Sequence, residues 1–159
     1  MDVFKVSKTI NASLSYVYEW CTDFRDSDPQ LTGSKSQRTI VERTKKRVIY
    51  AQIYNGMDGR KKVAVNIVTL KTPDTWHLDF FGEEDDETAE YRLRSIGKNR
   101  TRIDIVFREK WKVNSPPSLE EQIEGTNKVW DKYVAALEQD YNSENKPARR
   151  SGRAKKTPE

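Results

Sequence analysis

SLEEQIEGTNKVWDKYVAALEQDY, residues 118–141, decides the architecture. Ser118 is a favoured helix N-cap, and Glu121 three residues on completes a capping box. Leu119, Ile123, Trp130, Val134, Leu137 and Tyr141 then recur at helical spacing, so the stretch predicts a helix about six turns long with one apolar stripe. A single stripe on so long a helix needs one broad apolar surface to cover it. The stripe is interrupted at Gly125, Thr126 and Asn127, where an apolar residue is due. Glycine there costs roughly 1 kcal/mol against alanine.

The residues before the helix supply that surface. NSPPS, residues 114–118, stops whatever precedes it, because proline cannot donate to a sheet ladder. Upstream, six segments read as consecutive strands: 37–44, 47–54, 61–70, 75–81, 88–95 and 101–113. The links between them, KK, NGMDG, KTPD, GEEDDE and IGKNR, are polar and of hairpin length, so the strands form an antiparallel meander. At the N-terminus, VFKVSKTI alternates as a first strand. NASLSYVYEWCTDF follows with Val17, Trp20, Cys21 and Phe24 at helical spacing, then a break with a helical turn around Pro29 to Leu31. The order is strand, helix, turn, six strands, long helix. A curved antiparallel sheet of seven strands wrapped around the last helix is the economical α+β arrangement.

The chain has 159 residues, enough for one core. Its sole cysteine, Cys21, rules out an intrachain disulfide and a cysteine-based zinc site. No apolar run approaches the roughly 20 residues of a membrane span, and MDVFKVSKTI lacks a signal-peptide layout, so a cytoplasmic location is expected. The net charge of +4 sits entirely in the segment after Asn142, leaving a neutral body. Residues 1–142 are therefore expected to form the folded domain. Residues 143–159, with almost no apolar residue, are expected to form a basic disordered tail. Such a tail can make weak electrostatic contact with nucleic acid or an anionic surface.

This order resembles the helix-grip fold of the START/Bet v 1-like (SRPBCC, polyketide cyclase/dehydrase-like) superfamily over about residues 3 to 142. INASLSYVYEWCTDFRDSDPQL looks like the family's entry segment, with Ile10, Ser13, Val17, Tyr18, Asp23 and Pro29 in the matching places. The family often carries Trp after that proline, where this chain has Leu31. WDKYVAALEQDY looks like the end of the family's C-terminal helix. Both motifs are architectural. The resemblance implies an internal cavity between sheet and helix that takes a small hydrophobic or lipid-like ligand. Some relatives catalyse cyclisation or dehydration there.

One residue breaks the pattern of a packed inner face. In FREKWKV, residues 107–113, Glu109 alternates with Phe107 and Trp111, so a carboxylate falls on the side that faces the helix. An ionised carboxylate in a tight core costs several kcal/mol unless paired. The readings open here are a twist that carries Glu109 to solvent, a polar pocket wall near Tyr91, and an acid or base. The candidate ligand-binding set is Tyr50, Tyr54, Trp76, Phe80, Tyr91, Phe107, Glu109, Trp111, Asn127 and Trp130. The same aromatics serve equally as plain core.

No catalytic set stands out. His77, the only histidine, alternates outward with Asp79, and without a second histidine a non-haem iron site has no ligands. Cys21 reads as an inert core thiol, and EEDDE, residues 83–87, as a solvated turn without calcium-loop spacing. No cofactor or metal is called for. Binding of a small hydrophobic ligand is the leading reading. A cyclase- or dehydratase-type enzyme and an interaction module using the tail are the alternatives.

Overall fold

A computed structural model describes residues 1–145. Its elements run β1 (Asp2–Ile10), α1 (Leu14–Thr22), a 3-10 turn (Asp28–Thr32), β2 (Gln37–Arg43), β3 (Arg47–Asn55), β4 (Lys61–Lys71), β5 (Thr75–Gly82), β6 (Asp85–Gly97), β7 (Arg100–Trp111) and α2 (Leu119–Glu144). All seven strands join one antiparallel sheet in the order β1-β7-β6-β5-β4-β3-β2. The meander from β2 to β7 follows from the short polar links, and β1 closes against β7 from Asp2↔Glu109 to Ile10↔Thr101. This is the helix-grip architecture, with the sheet curved around α2.

Period-two alternation sorts each strand into an inner and an outer face. The registers carry the inner residues across the sheet in rows: Val6, Ile105, Tyr91 and Trp76 form one, and Phe4, Phe107, Ala89, Leu78 and Val68 the next. Val6, Val68, Ala89 and Ile105 are closed to solvent or nearly so. His77 lies on the outer face, bonded to Asp79 (2.8 Å) and to Glu90.

The capping box at Ser118 is present: its Oγ accepts from Glu121 N at 3.1 Å, and Glu121 Oε2 accepts from Ser118 N at 2.7 Å. The helix continues past Tyr141 to Glu144, so it extends beyond the domain boundary expected after Asn142. Residues 146–159, most of the expected tail and its possible nucleic-acid or anionic contact, lie outside the described residues.

The distribution of contacts along α2 differs from that expected of an evenly buried stripe. Leu137 is the side chain it buries fully, while Trp130 and Val134 are half-buried. The C-terminal half is tied down: Trp20 Nε1 donates to Asp140 (2.9 Å), Asn11 N to Glu138 (2.7 Å), Tyr141 OH to Asn99 (2.8 Å), and Lys8 pairs with Asp131 (2.7 Å). The N-terminal half meets the sheet through fewer side chains, Ile123 against the core and Gln122 on Asp2 of β1. Leu119 is exposed, and a Cβ at Gly125 would meet nothing within 4 Å.

Candidate functional site

Because α2 touches the sheet unevenly, space remains on either side of Trp130. The first chamber, about 240 Å³, lies between the sheet, α1, the 3-10 turn and α2. Tyr50, Trp76, Tyr91 and Trp130 line it, joined by Trp20, Cys21, Phe24, Leu78 and Tyr133. Trp76 stacks on Tyr91 with ring centroids 4.7 Å apart, and Tyr91 meets Trp130 at 6.0 Å. This aromatic column runs from the sheet to α2 and forms one wall of the chamber.

Four polar side chains mark its other side. Arg38 on β2 pairs with Asp28 of the 3-10 turn at 2.8 Å and lies 4.2 Å over the Tyr50 ring. On β4, Asn66 is almost wholly buried and donates to Gln52 Oε1 at 3.3 Å. Burial pushes the Tyr50 phenol up to about 12, opposed by Arg38. It raises Tyr91 and Tyr133 in the same direction. Burial, with Asp28 adding to it, also pushes the Cys21 thiol up to about 12. These groups stay protonated near neutral pH, as hydrogen-bond donors and not nucleophiles.

The second chamber, about 420 Å³, opens beneath the N-terminal half of α2. Phe107, Glu109, Trp111 and Trp130 line it, with Phe4, Asp85, Glu87, Gln122, Gly125 and Thr126. Glu109 is 4% exposed and faces the space between sheet and helix. Its partner across the ladder is Glu87, not Tyr91, which pairs with Ile105 four residues further along. Burial, then the Glu87 and Asp85 carboxyls within hydrogen-bonding reach, raises the Glu109 pKa far above the carboxylate range. Burial raises Glu87 as well. The two carboxyls titrate as a pair, and burial biases both toward the protonated form.

Seven of the ten candidate residues divide between the chambers, with Trp130 common to both. Tyr54 and Phe80 pack on each other at 6.3 Å and line neither. Asn127 also lines neither: its amide donates back to Ile123 O at 3.1 Å.

The acidic run 83–87 departs from a solvated turn. Strand β6 begins at Asp85, so Asp85 and Glu87 share the inner register with Ala89 and Tyr91. Glu84 is buried as well, accepting from Met57 N at 3.0 Å. Counting back by twos from Tyr91 would have found Glu87. Asn66 carries the same signal as Glu109, a polar residue in an inward register between Ala64 and Val68. Arg38 and Asp28 gave no local signal, since their pairing joins a strand to a distant turn.

No family model and no curated protein matches the chain. Solved structures do. The Zhui aromatase/cyclase from Streptomyces sp. R1128 superposes with a TM-score of 0.70 at 10% identity, covering 92% of this chain and 97% of that one. A START superfamily protein from Mycobacterium smegmatis gives 0.67 at 14% identity, covering 88% and 97%. Ginseng major latex-like protein 151 from Panax ginseng gives 0.64 at 12% identity, covering 86% and 97%.

The fold is START/Bet v 1-like.

At such low identity the likeness extends to the fold alone. Within the START/Bet v 1-like fold, both chambers occupy the space between the curved sheet and its gripped helix. No helix among the described residues is long and apolar enough to cross a membrane.

Proposed function

We propose that this protein binds a small, largely aromatic or apolar molecule with a hydrogen-bonding edge, held in the first chamber. The observation that carries this reading is the chamber itself: about 240 Å³ of space faced by the Trp76–Tyr91–Trp130 column, with Arg38 and Asn66 among its lining residues. Ligand sites combine apolar walls with a few placed polar groups in this way. The volume suits a molecule of one or two rings, not a long acyl chain. One structural neighbour is an aromatase/cyclase, which is consistent with an aromatic occupant.

The chamber supports binding better than catalysis. Its tyrosines and Cys21 are held protonated, and Asp28 is engaged by Arg38. No free base therefore faces a bound molecule there, as a cyclase- or dehydratase-type reaction needs. Native mass spectrometry of the purified protein, followed by calorimetric titration with 2-naphthol, tests the proposal. Saturable 1:1 binding is expected, lost in Leu78→Trp, which fills the chamber from β5; Tyr133→Trp does the same from α2 should the first variant not fold. Absence of saturable binding, or binding unchanged in a folded filled variant, refutes it.

A further inference from the structure

The second chamber has an electrostatic character of its own. Asp85, Glu87 and Glu109 line it, and no lysine or arginine does. No protein donor reaches Glu109 Oε1, although the residue is nearly closed to solvent. Gln122 Oε1 is also buried without a donor, because the amide nitrogen of Gln122 is spent on Asp2 (2.7 Å) and Pro117 O (3.1 Å). The nearby cation, Lys112, is directed to Asp86 (2.8 Å) and Gly82 O (2.9 Å). Phe4 and Phe107, stacked at 5.0 Å, form an aromatic wall, and Trp111 and Trp130 add two more rings.

Unfilled acceptors in an acidic, aromatic recess define the chemistry they lack. Buried acceptors of this kind need donors, and a bound cation favours the ionised form of acids that burial otherwise holds protonated. Aromatic faces attract an organic cation and its hydrocarbon body alike. Among the described residues no three acidic side chains converge closely enough to hold a metal ion. We propose that this second chamber binds an organic ammonium ion, a primary amine on an aromatic or short alkyl body, whose N–H groups donate to Glu109 Oε1 and the neighbouring acceptors. Trp111 Nε1, a buried donor without a partner, suits a hydroxyl on the same molecule. The proposal goes beyond occupancy of the first chamber and does not depend on it.

Burial favours the protonated forms of Glu109 and Glu87, and a bound cation favours their ionised forms. The acids on the surrounding elements are Asp85 and Glu87 on β6, Glu109 on β7, Glu121 on α2, which caps Ser118, and Asp2 on β1, which holds Gln122. Binding an ammonium ion therefore releases a proton near neutral pH.

Calorimetric titration at about pH 7.5 with phenethylammonium, 2-phenylethanol and 3-phenylpropionate tests this. The ammonium should bind at least tenfold tighter than the alcohol, and the carboxylate should not bind. Repeating the titration in buffers of different ionisation heat should register proton release. Glu109→Gln should remove both the preference and the release, and Glu87→Gln should reduce them, with circular dichroism reporting that each variant is folded. Excess 2-naphthol should not displace the ammonium. Equal affinity for amine and alcohol, an ammonium preference kept in both variants, or no binding of phenethylammonium overturns the proposal.

Discussion

Glu109→Gln should stabilise the protein, and by more as the pH rises. Glu109 is 4% exposed, and burial together with Glu87 and Asp85 raises its pKa. In the unfolded chain it titrates like an ordinary glutamate, near about 4.3. Between that value and the raised folded value, the folded state holds a proton that the unfolded state has lost. Stability from this group is thus complete below about pH 4.3 and is lost as pH rises toward the folded pKa. The slope is about 1.4 kcal/mol per pH unit for one proton. By about pH 7 the loss reaches roughly 3–4 kcal/mol if Glu109 remains protonated throughout. Water entering the open side of the chamber lowers the shift, so this figure is a ceiling. The glutamine amide keeps the neutral form's shape and donates to Glu87 without holding a titrating proton. Thermal melts of both proteins from about pH 4.5 to 8 should therefore diverge, the variant melting higher by up to about 15 °C at neutral pH, at roughly 2–4 °C per kcal/mol for a chain of this size. Glu19→Gln, exposed on α1, should track the wild type. Parallel curves for Glu109→Gln and wild type would show that Glu109 is ionised in the folded state, and would refute its raised pKa.

Leu137→Ala should cost about 2–5 kcal/mol in urea unfolding, because Leu137 is the side chain through which α2 is fully buried, and Val134→Ala should cost less. Gly125→Ala should raise stability by up to about 1 kcal/mol in the same assay: the glycine is helical and open space surrounds its Cβ position. Cys21 should resist thiol-disulfide reagents in the folded protein at about pH 8 and react on unfolding, since burial pushes its thiol up to about 12; rapid modification of the native state would contradict its place in the chamber wall.

The fold was legible because its signals are local and repeated. Alternation marked each strand, and turn residues at hairpin spacing marked the links. The proline stop and the Ser118–Glu121 box marked the start of α2. The start of β6 was not legible in the same way. Asp85, Asp86 and Glu87 have the composition of a solvated turn, but the hairpin needs only Glu83 and Glu84, so the acids enter the ladder opposite Trp111, Lys110 and Glu109 respectively. Composition and register disagreed there, and pairing with β7 decided the outcome. Leu137 shows a second limit. The stripe on α2 identifies which face turns inward, but the depth of each residue depends on ties to Asn11, Trp20, Asn99 and Lys8, all distant in sequence.

The inward polar residues mark where the helix does not fill the sheet. Asn66, Glu87 and Glu109 occupy inner registers among apolar neighbours, and each lines a chamber. Where α2 and α1 press directly on the sheet, the inner residues are Val6, Ile103 and Ile105, closed to water and free of polar atoms beyond the backbone. The cause is energetic: a polar side chain is tolerated on the inner face only where space, water or a partner meets it. Glu109 thus faces inward where α2 lies over the sheet without filling the space beneath it. The aromatic rings beside it are shared by core and cavity alike, so they cannot locate the space. The carboxylate can, because it is the residue type that a filled core would exclude.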